Sequence, residues 1–236
     1  RRGREVAVHG VDAWRDAGTG RAEMRELTSI TGQTTVGVRI HWLYFDADSP
    51  KHLEAAGFSY DSTCGYNEAI GYRAGTSQVF RLPAGRQLLE LPLTIMDSAM
   101  FYTGRMALGP ADARRRCAEI VAHARRFGGT VVINWHDRSL APERLWGRSY
   151  QNLLETIETG NRAWFATAGE AVDWFRWRRS IQFTVTAGST CVTVATSRSS
   201  SALPPGTIRV HRPAGERTPA AEELAFDGQT AVRIRL

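Results

Sequence analysis

The chain has 236 residues, 42% of them hydrophobic and 23% charged, with a formal net charge of +6. Those values describe an ordinary globular protein with room for a substantial core; they exclude a disordered chain, and no run of about 18 apolar residues offers a membrane-spanning helix. The positive balance is carried almost wholly by arginine, Lys51 being the only lysine, and no nucleic-acid motif accompanies it, so no nucleic-acid partner is expected.

Residues 4–8 alternate and then run apolar, which predicts a strand emerging at His9. Residues 12–27 read as a helix weakened by Gly18 and Gly20, and residues 36–42 as a second strand. Ser49-Pro50 followed by a short amphipathic run and Gly57 predicts a compact helix with proline in its first turn and a glycine stop. Residues 58–80 are rich in Gly, Tyr and small polar side chains and read as a long loop, the kind that carries function in a compact domain. A strand over 88–95 is interrupted by Pro92, and Pro110 opens a helix that Gly128-Gly129 ends. Residues 130–135 are continuously apolar and β-branched, which predicts a strand buried on both faces, followed directly by His136. A helix over 149–159, a short strand over 164–166 and a last helix over 169–179 complete a βαβα alternation, which predicts a mainly parallel sheet closed or nearly closed into a barrel.

Beyond Ser180 the pattern changes to short alternating stretches at 181–186, 191–195, 207–211 and 231–236, with a turn over 197–201. The expected organisation is therefore an α/β domain over 1–179 and a small antiparallel, β-sandwich-like accessory domain over 180–236. Arg114–Arg116, Arg125–Arg126 and the trio Arg176, Arg178 and Arg179 lie on or beside predicted helices and read as solvated faces. Cys64, Cys117 and Cys191 are odd in number and widely spaced, so they are expected as free thiols.

Three segments carry the chemistry: Val8-His9-Gly10-Val11-Asp12 at the start, Tyr60-Asp61-Ser62-Thr63 in the middle, and Asn134-Trp135-His136-Asp137 later. Two of them present a histidine just after an apolar run, as an α/β barrel does when it gathers polar groups at the carboxyl ends of its strands. With Gly37-Val38-Arg39-Ile40-His41-Trp42 and Gly71-Tyr72-Arg73-Ala74-Gly75-Thr76, their order resembles the polysaccharide deacetylase family over roughly residues 4–178. The resemblance implies a distorted, incomplete β/α barrel, here lacking its first strand, and removal of N- or O-acetyl groups from an acetylated saccharide with the help of a divalent metal of the zinc type.

Residue by residue, the resemblance implies His136 as the general acid that protonates the leaving group, a role suited to an imidazole. It implies His9 as a metal ligand. The family's second histidine, four residues further on, is replaced by Ala13, leaving Asp12 as the candidate second ligand or as a helix cap. Arg39 matches the arginine that orients a catalytic carboxylate, although Ile40-His41-Trp42 replace the prolines expected after it, and Asp61 matches the aspartate that holds such an arginine. Arg73, Tyr66 and Trp135 are candidates for substrate binding, and Trp42, Tyr72 and Trp146 for further sugar platforms.

The family opens with a strand ending in two aspartates, one of them the base, and this sequence has no Asp-Asp dipeptide. The expectation is a chain lacking its amino-terminal portion and weakly active or inactive by itself; the alternative is a protein that never had the base. Two other readings stay open: a non-catalytic carbohydrate-binding or assembly protein on the same scaffold, and a metal-free amidohydrolase.

Overall fold

The computed structural model describes residues 4–159, 163–185, 191–198, 203–211, 221–228 and 231–235. Two compact units emerge, residues 1–169 and 170–236.

In the first unit β1 (Val8–Gly10), β2 (Gly37–Ile40), β3 (Tyr60–Asp61) and β4 (Leu89–Glu90) form one parallel sheet in that order. Pro92 cannot donate to a ladder, and the strand expected over 88–95 is split there. Its second half, β5 (Leu93–Met96), pairs in parallel with β6 (Val132–Asn134) in a separate sheet. Parallel neighbours need crossover connections, and helices supply several of them. Helices α1 (Ala17–Thr31) and α2 (Ser49–Ala56) cover the first sheet through Val8, Val38, Ile40, Leu53 and Phe58. The short α3 (Asp97–Phe101) follows β5, while α4 (Pro110–Phe127) and α5 (Gly147–Glu158) cover the second sheet through Ile95, Met100, Val121 and Leu153.

Several expectations shift. The first helix starts at Ala17 rather than residue 12 because Asp16 caps it, its carboxylate accepting the Thr19 N–H at 2.8 Å. The second strand stops at Ile40, and a 3-10 turn, His41–Leu43, places Trp42 and Leu43 at φ 59° and 54°. The long loop over 58–80 contains β3, with residues 60–65 buried. The strand before His136 is only half-buried rather than covered on both faces, and residues 164–166 form no strand but lie exposed.

In the second unit α6 (Ala168–Arg179) leads into β7 (Ile181–Val185), β8 (Cys191–Thr196), β9 (Gly206–His211), β10 (Ala221–Phe226) and β11 (Val232–Arg235). These pair antiparallel as β11-β8-β7 and β10-β9. Trp177, 1% exposed, packs with Val194, Ile208, Phe226 and Ile234, which groups most of α6 with the strands that follow it. Strand β10 escapes a sequence reading because Ala221-Glu222-Glu223-Leu224 is built of good helix formers. Of the turn expected over 197–201, residues 199–201 lie outside the described residues.

Gly37 stands opposite Tyr60 in the β2–β3 ladder, and a Cβ there would lie 2.0 Å from the Tyr60 ring. Gly37→Ala is expected to destabilise the first unit by about 1–3 kcal/mol in urea unfolding. In a Tyr60→Ala background most of that cost should vanish, because the methyl group then has space; equal costs in both backgrounds would refute the steric account.

Candidate active site

The polar groups singled out by the sequence, and several it did not reveal, collect at or just beyond the carboxyl ends of the parallel strands of the first unit. His9 and Arg39 are register partners on β1 and β2. His9 Nε2 lies 2.9 Å from Nδ1 of His41, the residue that leaves β2 into the 3-10 turn. Burial, then the neighbouring charges of His41, Arg39 and His136, hold the His9 pKa below the ordinary imidazole value, so its neutral form is favoured.

His136 is held by a residue the sequence reading missed. Asp97, 0% exposed at the start of α3, accepts the His136 ring N–H from Nδ1 at 2.6 Å and the His136 backbone N–H at 2.8 Å. It also accepts the Ser139 hydroxyl and the Ser98 N–H. Burial works against the Asp97 charge, but the hydrogen bonds from His136 and Ser139 outweigh it and keep the carboxyl below its usual range. The reciprocal effect is on His136, whose pKa the Asp97 hydrogen bond raises against partial burial. The bond to Nδ1 leaves Nε2 as the ring nitrogen for chemistry.

A second buried carboxyl cluster sits under β2 to β4. Asp61 and Glu90 are partners in the β3–β4 register, and both are buried. Asp61 accepts from the Thr63 hydroxyl, and Glu90 accepts the Cys64 N–H at 2.7 Å. Burial raises the pKa of each, and for Glu90 the Asp61 charge adds to the effect. Arg39 does not hydrogen-bond Asp61. It donates to the Ser62 carbonyl at 2.9 Å and hydroxyl at 2.8 Å, and feels Asp61 and Glu90 only through space. The arginine–aspartate link expected from the sequence is thus replaced by an Arg39–Ser62 fork.

The remaining candidates separate. Asp12 pairs with Arg15 at 2.7 Å, so its carboxylate is already engaged by a cation. Trp135 packs against Phe101 and Tyr150 among apolar neighbours rather than standing open as a sugar platform. Tyr66 is 39% exposed and lies beside Arg73, which also covers Phe45 and donates to the Gly65 carbonyl at 2.9 Å. Trp42, 55% exposed, stands beside His41, and its carbonyl accepts from Asn67 at 2.7 Å. Tyr72 donates to the Thr130 carbonyl and packs on His123. Cys64 and Cys117 are free, and burial pushes both thiols up to about 11.

Among the described residues no three His, Cys, Asp or Glu side chains converge into a metal-binding group. His9 and His41 meet as a hydrogen-bonded pair at 2.9 Å, whereas the Asp12 carboxylate is paired with Arg15. Nitrogens bound to one tetrahedral zinc at about 2.0–2.1 Å stand roughly 3.3 Å apart, so the two imidazoles would have to open by a few tenths of an ångström to share an ion.

The fold is similar to that of a solved structure from Mycobacterium smegmatis described as a "putative polysaccharide deacetylase", with a TM-score of 0.54 and 21% identity over 74% of this chain. The match covers 62% of that protein's chain. No family model and no curated protein matches the sequence. At this identity the likeness concerns the fold: a mixed α/β architecture with parallel sheets of the kind that deacetylase-like structure shows.

Two titrations test the electrostatics. The His136 ring, followed by NMR, is expected to titrate above the ordinary value of about 6.5, and Asp97→Asn should bring it down; an unmoved midpoint would remove Asp97 as its partner. For Asp61 and Glu90 the raised pKa values mean that the folded protein retains protons the unfolded chain has released. Their contribution to stability is present at acid pH and is lost as pH rises through those raised values. Urea unfolding between pH 5 and 9 should show a decline in stability that Glu90→Gln flattens; an unchanged slope would exclude the pair as its source.

Proposed function

We propose that the chain is a carbohydrate deacetylase acting on N- or O-acetylated saccharides, with His136 as the general acid. The observation that carries this reading is the buried Asp97 bound to Nδ1 of a half-exposed His136. Cleaving an acetyl group leaves an amine or alkoxide that must take up a proton. A histidine whose pKa is raised by an aspartate holds its proton more firmly and delivers it from Nε2, while Asp97 fixes the ring and stabilises its imidazolium. The fold likeness to a protein described as a polysaccharide deacetylase supports the same reaction class.

His9 and His41 would hold a divalent ion of the zinc type. When bound, such an ion polarises the acetyl carbonyl and acidifies a water molecule. The lowered pKa of His9 serves this role, since only the neutral imidazole ligates. Arg39, clamped by Ser62 beside His9, keeps a fixed positive charge near the developing oxyanion without itself giving up a proton. The described residues thereby supply the acid half of the reaction. The attacking water also needs a base, and the family's Asp-Asp pair has no counterpart in this sequence.

The test is acetate release from acetylated chito-oligosaccharides and acetylated xylan, with and without added zinc. His136→Ala is expected to lower kcat/KM by about 10²–10⁴-fold. His9→Ala and His41→Ala should each abolish zinc binding in calorimetry together with the zinc-stimulated rate. Activity that survives complete chelation would leave a metal-free hydrolase. No acetate from any acetylated glycan under either condition would end the deacetylase reading.

A further inference from the structure

From His41 a continuous line of aromatic and guanidinium contacts runs toward His136. The Arg105 guanidinium lies 6.0 Å from the ring of Trp42 and 5.4 Å from that of Tyr102, and one of its N–H groups donates to Ser98 at 2.9 Å. Arg144 lies 5.1 Å from the same Tyr102 ring and 5.3 Å from Trp146, and its charge is felt at His136. Two guanidinium groups therefore share one phenol ring beside an imidazole that Asp97 favours in its charged form.

Neither arginine has a carboxylate partner among the described residues. Arg15, Arg115, Arg116 and Arg176, by contrast, each pair with an acid three residues away. Glu143, next to Arg144 in sequence, turns to Arg138 instead, and Asp137 accepts the Arg138 N–H. Arg73 beside Tyr66 likewise has no carboxylate partner among those residues; Glu68, exposed on the same loop, is not paired with it. Stacking fixes each guanidinium plane without neutralising it. The arrangement holds positive charge beside aromatic faces, and a bound anion would offset that charge.

From this geometry we infer that the saccharide taken by the site is anionic, bearing a carboxylate or a sulfate or phosphate ester on a ring next to the acetylated one, and that Arg105 and Arg144 determine that specificity. The inference rests on the carbohydrate reading above but does not depend on hydrolysis. A sugar ring supplies an apolar face for Trp42 or Tyr102, and its acidic group supplies the bidentate partner a guanidinium prefers.

Calorimetric titration of the intact chain with three probes tests this: a neutral chito-oligosaccharide, a heparosan oligosaccharide in which N-acetylglucosamine alternates with glucuronate, and a 6-O-sulfated chito-oligosaccharide. At low salt the acidic probes are expected to bind about tenfold or more tightly than the neutral one, with the advantage shrinking as salt is raised. Relative affinity of the two acidic probes assigns the preference to carboxylate or ester. Arg105→Gln and Arg144→Gln should collapse the acidic-to-neutral ratio, while Arg105→Lys, which keeps the charge, should restore most of the salt dependence. Equal affinity for acidic and neutral probes overturns the inference even where acetate is released from both. So does a ratio that survives the glutamine substitutions, or one in which those substitutions weaken only a single-stranded oligonucleotide. Preference for the acidic probes without acetate release leaves the inference standing and removes the deacetylase reading instead.

Discussion

The structure around the candidate site depends on one buried carboxylate. Asp97 has no exposure and accepts hydrogen bonds from the His136 ring, the His136 backbone, Ser139 and Ser98. A charge removed from water this completely is tolerated only when each lone pair is used. Because two of those donors come from His136, the same bonds that keep Asp97 ionised fix the start of the segment after β6 and the tautomer of its histidine. Local folding and site geometry are one interaction here.

The second buried acid cluster solves the problem in the opposite way. Asp61 and Glu90 face each other across the β3–β4 ladder, and one Glu90 oxygen is buried without a hydrogen-bond partner. Burial raises the pKa of both, and at Glu90 the Asp61 charge adds to the rise. Arg39 supplies compensating charge at a distance but spends its hydrogen bonds on Ser62, whose hydroxyl in turn donates to the Leu91 carbonyl. The result is a polar seam tying β2 to β3 and to the residue after β4, which positions Arg39 beside His9. The role suggested for Asp61 by sequence resemblance, holding the arginine, is thereby distributed over Ser62, Glu90 and Asp61 together.

How much of this was legible in the sequence follows from what each residue type announces. The parallel α/β character and the strand ends at His9 and His136 were readable because a short β-branched run stops at a histidine in both places. The same grammar was present at Leu93-Thr94-Ile95-Met96-Asp97 and at Val38-Arg39-Ile40-His41, where an apolar run ends in a polar group, yet neither Asp97 nor His41 stood out as an isolated residue. Glu90 between Leu89 and Leu91 was a further signal, a lone acid inside an apolar stretch. What sequence could not supply was pairing across the fold: His9 meets His41 and Asp97 meets His136 at separations of 32 and 39 residues, set by strand order alone. Asp12 was overvalued because helical spacing from His9 presumed a helix that Asp16 delays.

The two histidines at the strand ends are alike as side chains and are made different by what surrounds them. At His9, burial and the positive charges of His41, Arg39 and His136 disfavour protonation; at His136, a buried aspartate demands it. Groups of one type driven in opposite directions hold their protons differently at a single pH. That difference needs no conformational change, since it is written into the strand order: Arg39 lies beside His9 by register on the first sheet, while Asp97 and His136 follow the paired strands of the second. The interruption at Pro92, which separates the two sheets, also separates the carboxylate that favours protonation of His136 from the buried strand end at which His9 and Arg39 are register partners.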